Sequence, residues 1–147
     1  MTMKEIIKHE SLSETEQSLV ETARSFSERA YCPYSNFPVG AGLLAENPEG
    51  ERKVFGGFNV ENASYGGSVC AERTAIFSSL LEGYNKIIAI AVFCPKSLGS
   101  SPCGFCRQVI REFGKDAQIL ITNDTEGNVS KWTQEEMLPN SFGPESL

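Results

Sequence analysis

Two short cysteine-bearing segments, well separated in the chain, limit what this sequence can fold into. Asn59 to Phe77 reads NVENASYGGSVCAERTAIF, and Ser101 to Val109 reads SPCGFCRQV. Cys70 stands two residues before Glu72, while Cys103 and Cys106 form a Cys-x-x-Cys pair behind Pro102. Three thiols beside a carboxylate suit a tetrahedral zinc with three protein ligands, whose fourth position stays open to water. One helical turn sets the sulfurs of Cys103 and Cys106 on one face. The interval from Cys70 to Cys103 is long enough for a helix and a strand, so a chain reversal can bring the segments together.

Cys-x-x-Cys alone is a weak signal, and two plainer readings compete with a working zinc site. A structural zinc knot normally takes a fourth protein ligand, and the remaining thiols, Cys32 and Cys94, lack ligand-like spacing. They read instead as small buried apolar side chains. A thioredoxin-like dithiol also follows a strand and opens a helix, but it does not need Cys70 and Glu72. The full pattern, Cys-x-Glu upstream of Pro-Cys-x-x-Cys, is the signature of zinc-dependent hydrolytic deaminases in which cysteine takes the histidine position.

Composition narrows the substrate. The chain has 147 residues, 40% hydrophobic and 22% charged, which fits a single soluble globular domain over residues 1–147. Its net charge is −6, and its 13 Lys and Arg residues form no run, so a nucleic-acid polymer is disfavoured and a small free substrate favoured. No apolar stretch approaches the ~20 residues of a membrane span. The opening MTMKEIIKHESLSE mixes both charge signs and does not read as a signal peptide. Five cysteines, an odd number, then fit a reducing, cytoplasmic setting better than a disulfide framework.

Residues 1–12 read as a loose or surface-hugging lead-in, with the only histidine, His9, solvated there, so the zinc donors must all be thiolates. Ser13 and Glu16 form a capping box. Leu19, Val20, Ala23, Phe26 and Ala30 recur at helical spacing, predicting a helix over 14–30. Cys32 to Pro38 is a loop. Val39 to Ala45 and Lys53 to Val60 form a hairpin, with Gly56-Gly57 marking a bulge or a close backbone approach. A helix runs from about Cys70 to Leu81, so the cysteine sits at the dipole end that favours a thiolate. Lys86 to Cys94 is a central strand and Gly104 to Phe113 a second helix, followed by a strand over Ala117 to Thr122. That order implies a right-handed parallel unit. Asn128 to Trp132 is a short edge strand, Thr133 caps a last helix with Glu136, and Asn140 to Leu147 is a tail. The predicted fold class is α/β, a three-layer sandwich around a mixed five-stranded sheet.

Glu72 is offset from Cys70 so that it avoids ligation yet stays near the open zinc position, where it can move a proton from water to a ring nitrogen and a leaving amine. A solvated helix residue is the plainer reading of Glu72. Three thiolates with Zn²⁺ sum to −1, which weakens the metal's pull on its water. Arg73 is the nearest compensator, since a guanidinium donates to two sulfurs at once.

Four motifs together carry a resemblance: Cys32-Pro33-Tyr34-Ser35-Asn36-Phe37-Pro38-Val39-Gly40-Ala41, Asn59-Val60-Glu61-Asn62-Ala63-Ser64-Tyr65, Cys70-Ala71-Glu72-Arg73-Thr74-Ala75, and Ser101 to Gln108. From about Ala30 onward the chain resembles the small homotetrameric, three-cysteine cytidine deaminases. The resemblance implies hydrolysis of cytidine and deoxycytidine to the uridine counterpart and ammonia, in pyrimidine salvage, with water attacking C4. It implies one zinc per subunit on Cys70, Cys103 and Cys106, with Glu72 as proton shuttle. Asn59 and Glu61 would hold the ribose 3′-hydroxyl, while the backbone of Ala71 and the carbonyl of Ser101 would read the pyrimidine edge. Phe37 would lie against the base. Tyr65 and Phe142 would complete a neighbouring subunit's pocket; read without the family, Phe37 and Phe142 are ordinary apolar anchors. Within the same zinc chemistry, a blasticidin-type deaminase is the nearest rival. A polynucleotide editor and a zinc-stabilised binding module without turnover stand further off.

Overall fold

The protein is described by a computed structural model covering residues 4–147. Five strands form one sheet: β1 (Gly40–Glu46), β2 (Arg52–Phe58), β3 (Lys86–Phe93), β4 (Gln118–Thr122) and β5 (Val129–Thr133), in the order β2-β1-β3-β4-β5. Four α-helices accompany them among the described residues: α1 (Glu14–Ser27), α2 (Ala71–Leu81), α3 (Gly104–Phe113) and α4 (Gln134–Met137). β1 runs antiparallel to both β2 and β3, whereas β3 and β4 are parallel with α3 crossing between them. β5 closes the sheet antiparallel to β4. This is the mixed, five-stranded α/β sandwich that the sequence predicts.

The two faces of the sheet bury different halves of the strand alternation. Ala41, Leu43 and Ala45 of β1 pack with Ile76 of α2 and Ile110 of α3. Leu44 of the same strand packs on the opposite face with Leu19, Val20 and Ala23 of α1. Gly40 and Gly42 lie directly under α1, where a Cβ would collide with the carbonyl oxygens of Ala23 and Leu19. Gly57 plays the same part for α2: a Cβ there would run into the backbone of Ala71 and Ala75. The β1–β2 register is unbroken from Gly40↔Phe58 to Glu46↔Arg52, so Gly56-Gly57 marks a close approach and no bulge.

That register also places the functional loops. Gly40 at the start of β1 faces Phe58 at the end of β2 and Phe93 at the end of β3. The segments 33–39, 59–70 and 94–103 therefore all meet the sheet at one end. Both expected capping boxes form, Ser13 with Glu16 and Thr133 with Glu136.

Three local expectations change. α1 stops at Ser27, because Arg29 N–H turns back to the Phe26 carbonyl three residues behind. Of the lead-in over 1–12, residues 1–3 lie outside the described residues, and the remainder is tied down. Ile7 exchanges two backbone hydrogen bonds with Val129, of 2.8 and 2.9 Å, and Leu12 is buried. His9 consequently is half-buried, its Nε2 3.3 Å from Glu21 Oε1 and its backbone N–H donating to Asn128 Oδ1.

Candidate active site

Cys70 and Cys103 are the N-caps of α2 and α3, positions usually filled by residues whose side chain bonds the first turn. Neither sulfur makes such a bond. Both are left free to point across the gap between the helix tips, and Cys106 joins them from the first turn of α3. The three sulfurs lie within 4.8 Å of one another, with Cys70 and Cys103 3.7 Å apart. Sulfurs bound at about 2.3 Å around a tetrahedral zinc stand roughly 3.8 Å from each other. The donor set fits that ion in chemistry and in spacing.

The surroundings favour thiolate at Cys70. A hydrogen bond from Cys106, joined by donation from Arg73 and Cys103, outweighs burial and holds the Cys70 thiol at about 5, far below the ordinary thiol value. Cys106 is pushed the other way, first by that same bond, which keeps its proton, and then by burial. Arg73 Nη2 is 3.5 Å from Cys70 Sγ, and its guanidinium lies over the Phe105 ring at 5.5 Å. Arg73 is thus a partner of the sulfurs and not a solvated surface arginine.

Glu72 is only 4% exposed, although it sits in the first turn of a helix. Burial, with the charge of Cys70 adding, pushes its carboxyl up to about 7. Its side chain borders a cavity of about 440 Å³ that is also lined by Cys70 and Cys103, by Phe37, Asn59 and Glu61, and by Ser101. A cavity of this size suits a small organic molecule.

The residues expected to meet a sugar and a base are placed as follows. Asn59 accepts from Val39 N–H at 2.8 Å and donates to the Phe37 carbonyl at 2.9 Å, so its amide fixes the loop that carries Phe37. Glu61 accepts from the backbone N–H groups of Tyr34 and Ser35 and from the Ser35 hydroxyl. The Ser35 hydrogen bond is first among the effects holding Glu61 below the usual carboxylate range. Ala71 is fully buried as the first residue of α2, next to both Cys70 and Glu72. Tyr65 and Phe142 do not line this cavity. They are 74% and 61% exposed; Tyr65 rests against Tyr34, and the Phe142 carbonyl accepts from Gln108.

Sequence reasoning missed Ser35, Val39, Val92 and Ser100 as lining residues. Ser35 had a usable signal, since it lies within the loop that presents Phe37. Val92 had none, because a valine in an apolar strand reads as core.

A family model described as the cytidine and deoxycytidylate deaminase zinc-binding region matches residues 13–122. The chain belongs to this deaminase family. A cytidine deaminase of Sporosarcina psychrophila is 38% identical over 131 residues, covering 89% of this chain and 93% of the relative. A second, from Halalkalibacterium halodurans, is 41% identical over 132 residues, with coverages of 89% and 96%. Among solved structures, the cytidine deaminase of Burkholderia pseudomallei superposes with a TM-score of 0.77 at 44% identity, covering 89% of this chain and all of that one. The span matched by the deaminase family model includes Cys70, Glu72, Cys103 and Cys106, whereas Phe142 lies beyond it.

Proposed function

We propose that the chain is a zinc-dependent hydrolase, one domain over residues 1–147, that deaminates cytidine and deoxycytidine to the uridine counterparts with release of ammonia. The observation that carries this reading is that buried Glu72 lines the same cavity as Cys70 and Cys103, two members of a three-sulfur cluster of zinc-like spacing. Family membership and the named relatives support the choice of nucleoside.

Cys70, Cys103 and Cys106 would hold one zinc per subunit, which would supply a water acidified to near neutral pH as the nucleophile for C4 of the base. Glu72, poised near 7, takes the proton of that water on a carboxylate oxygen. It passes the proton to the ring nitrogen, then takes the remaining proton from the oxygen newly bonded to C4 and delivers it to the amine, so that ammonia leaves as the C4–N bond breaks and the C4 carbonyl forms. Ala71, the first residue of α2, offers its backbone to the pyrimidine edge, and the Ser101 carbonyl accepts from the amino group. Phe37 lies against the ring, while Asn59 and Glu61 hold the ribose 3′-hydroxyl. Arg73 draws charge from the thiolates, which preserves the acidity of the water.

In the assembled form that we propose, a homotetramer, Tyr65 and Phe142 reach a neighbouring subunit's cavity. The working compartment is the cytoplasm, in keeping with five free thiols. Among the described residues no helix is long and apolar enough to cross a membrane. The role in the cell is nucleoside salvage.

Glu72→Gln tests the assignment. The variant is expected to keep the fold and its zinc while losing deamination by about 10²-fold or more, the scale of general acid–base catalysis. Metal content and absorbance-monitored turnover of cytidine, deoxycytidine and blasticidin read the outcome. Parental turnover by the Gln variant sinks the role of Glu72, and a metal-free, inactive parent sinks the whole reading.

A further inference from the structure

We propose that Arg107 is a positioning residue for the deamination, holding Ser101 in the cavity wall, through its hydroxyl and the adjoining Pro102 carbonyl, in the orientation that substrate meets. The inference rests on the deaminase reading of the site and adds to it a residue outside the cavity. Arg107 Nε donates to the Pro102 carbonyl at 2.7 Å, Nη2 to the Ser101 hydroxyl at 2.8 Å, and Nη1 to the Met137 carbonyl at 2.8 Å. The side chain therefore joins two segments far apart in sequence through one rigid fork.

The wall has particular need of such a tie. Pro102 has no N–H, so the Ser101–Pro102 peptide cannot be anchored by donating a hydrogen bond. Its direction is set by acceptors on either side, the Ser101 hydroxyl and the Pro102 carbonyl, and Arg107 holds both. Upstream, the loop is fastened at Gly99, whose N–H reaches the Thr122 carbonyl, and at Ser100, whose N–H reaches the Ser97 carbonyl. Arg107 is itself pinned. Its N–H donates to the Cys103 carbonyl at 2.9 Å, and its own carbonyl accepts from the buried Gln134 at 3.0 Å. The Met137 carbonyl belongs to the last turn of α4, where helix carbonyls lack partners within the helix. The fork thus references the cavity wall to the end of α4, while the backbone N–H of Arg107 separately closes the first turn of α3 on the Cys103 carbonyl.

Binding at the wall is shared by substrate and transition state, so its loss raises KM more than it lowers kcat. A purely structural arginine behaves otherwise: losing it lowers Tm and the active fraction and leaves KM alone. The experiment measures zinc content, Tm, kcat per bound zinc and KM for cytidine in the parent, Arg107→Ala, Arg107→Lys, Ser101→Ala and the Ser101→Ala/Arg107→Ala pair. Arg107→Ala is expected to raise KM about tenfold while kcat per zinc stays within about threefold of the parent. Lysine, a point donor, is expected to restore part of the loss. Ser101→Ala is expected to matter less once Arg107 is gone, because the two share one contact. Parental KM in Arg107→Ala overturns the proposal, whatever happens to Tm. If Arg107→Ala does not fold, Arg107→Lys decides: a raised KM supports positioning and a parental KM overturns it. An inactive parent removes the deaminase reading and this proposal with it, whereas an active parent with unaffected Arg107 variants removes this proposal alone.

Discussion

Arg73 shows how a single side chain is asked to settle a charge problem. Three thiolates around a divalent ion would leave an excess negative charge, and Arg73 approaches Cys70 Sγ at 3.5 Å with its guanidinium over the Phe105 ring. Arg73→Ala is therefore expected to retain the fold and to lose turnover by about one to two orders of magnitude, less than the loss of a donor aimed at the reacting atom in a water-excluded site. Circular dichroism, metal analysis and kcat check this together. Unchanged kcat with bound zinc removes Arg73 from the mechanism. At this scale the sequence was informative wherever spacing alone implied chemistry. Cys70, Glu72, Cys103 and Cys106 stand at offsets that few other sites require. Arg107 was invisible for the opposite reason. Its meaning depends on where α4 ends, and nothing within the Ser101–Gln108 motif states that.

Elements bring those residues together only because strands and helices approach unusually closely. The tip of α2, with Cys70 and Glu72, rests on Gly57 of β2. Gly57→Ala is expected to force α2 away from the sheet, at a cost of about 1–3 kcal/mol in stability and with a disproportionate loss of activity. Gly50→Ala is the control, since Gly50 has open space around it but a positive φ of 85°, so it costs stability with activity per folded molecule unchanged. Denaturant midpoints and turnover per folded molecule separate the two; equal losses of activity from both would refute the packing argument. The strands themselves were plain in the sequence, because IIAIAVF and AQILIT are short apolar runs framed by turn residues. The end of α1 was not. Ala30 continues the helical spacing, but the chain is needed for backbone bonds at Tyr31, whose N–H and carbonyl both pair with the 59–61 segment.

For the whole molecule, the decisive question is whether a cavity belongs to one subunit. Tyr65 and Phe142 stand out from the surface and leave this chain's own cavity to other residues. If a neighbour supplies them, mixing two inactive variants should rescue activity. A Glu72→Gln subunit lends an intact Phe142, while a Phe142→Ala subunit lends an intact Glu72. Co-refolding the pair is expected to restore activity to a fraction of the parent's, read beside the assembly mass from light scattering. Mixtures no more active than their separate components would confine the site to one chain. The lead-in segment, finally, bears on how the protein behaves when crowded. Ile7 occupies the backbone N–H and carbonyl of Val129, on the strand that forms one rim of the sheet. A bare rim is a template on which foreign strands can stack. By laying Ile7 there, the chain occupies the first residue of that rim and shortens the stretch open to such stacking.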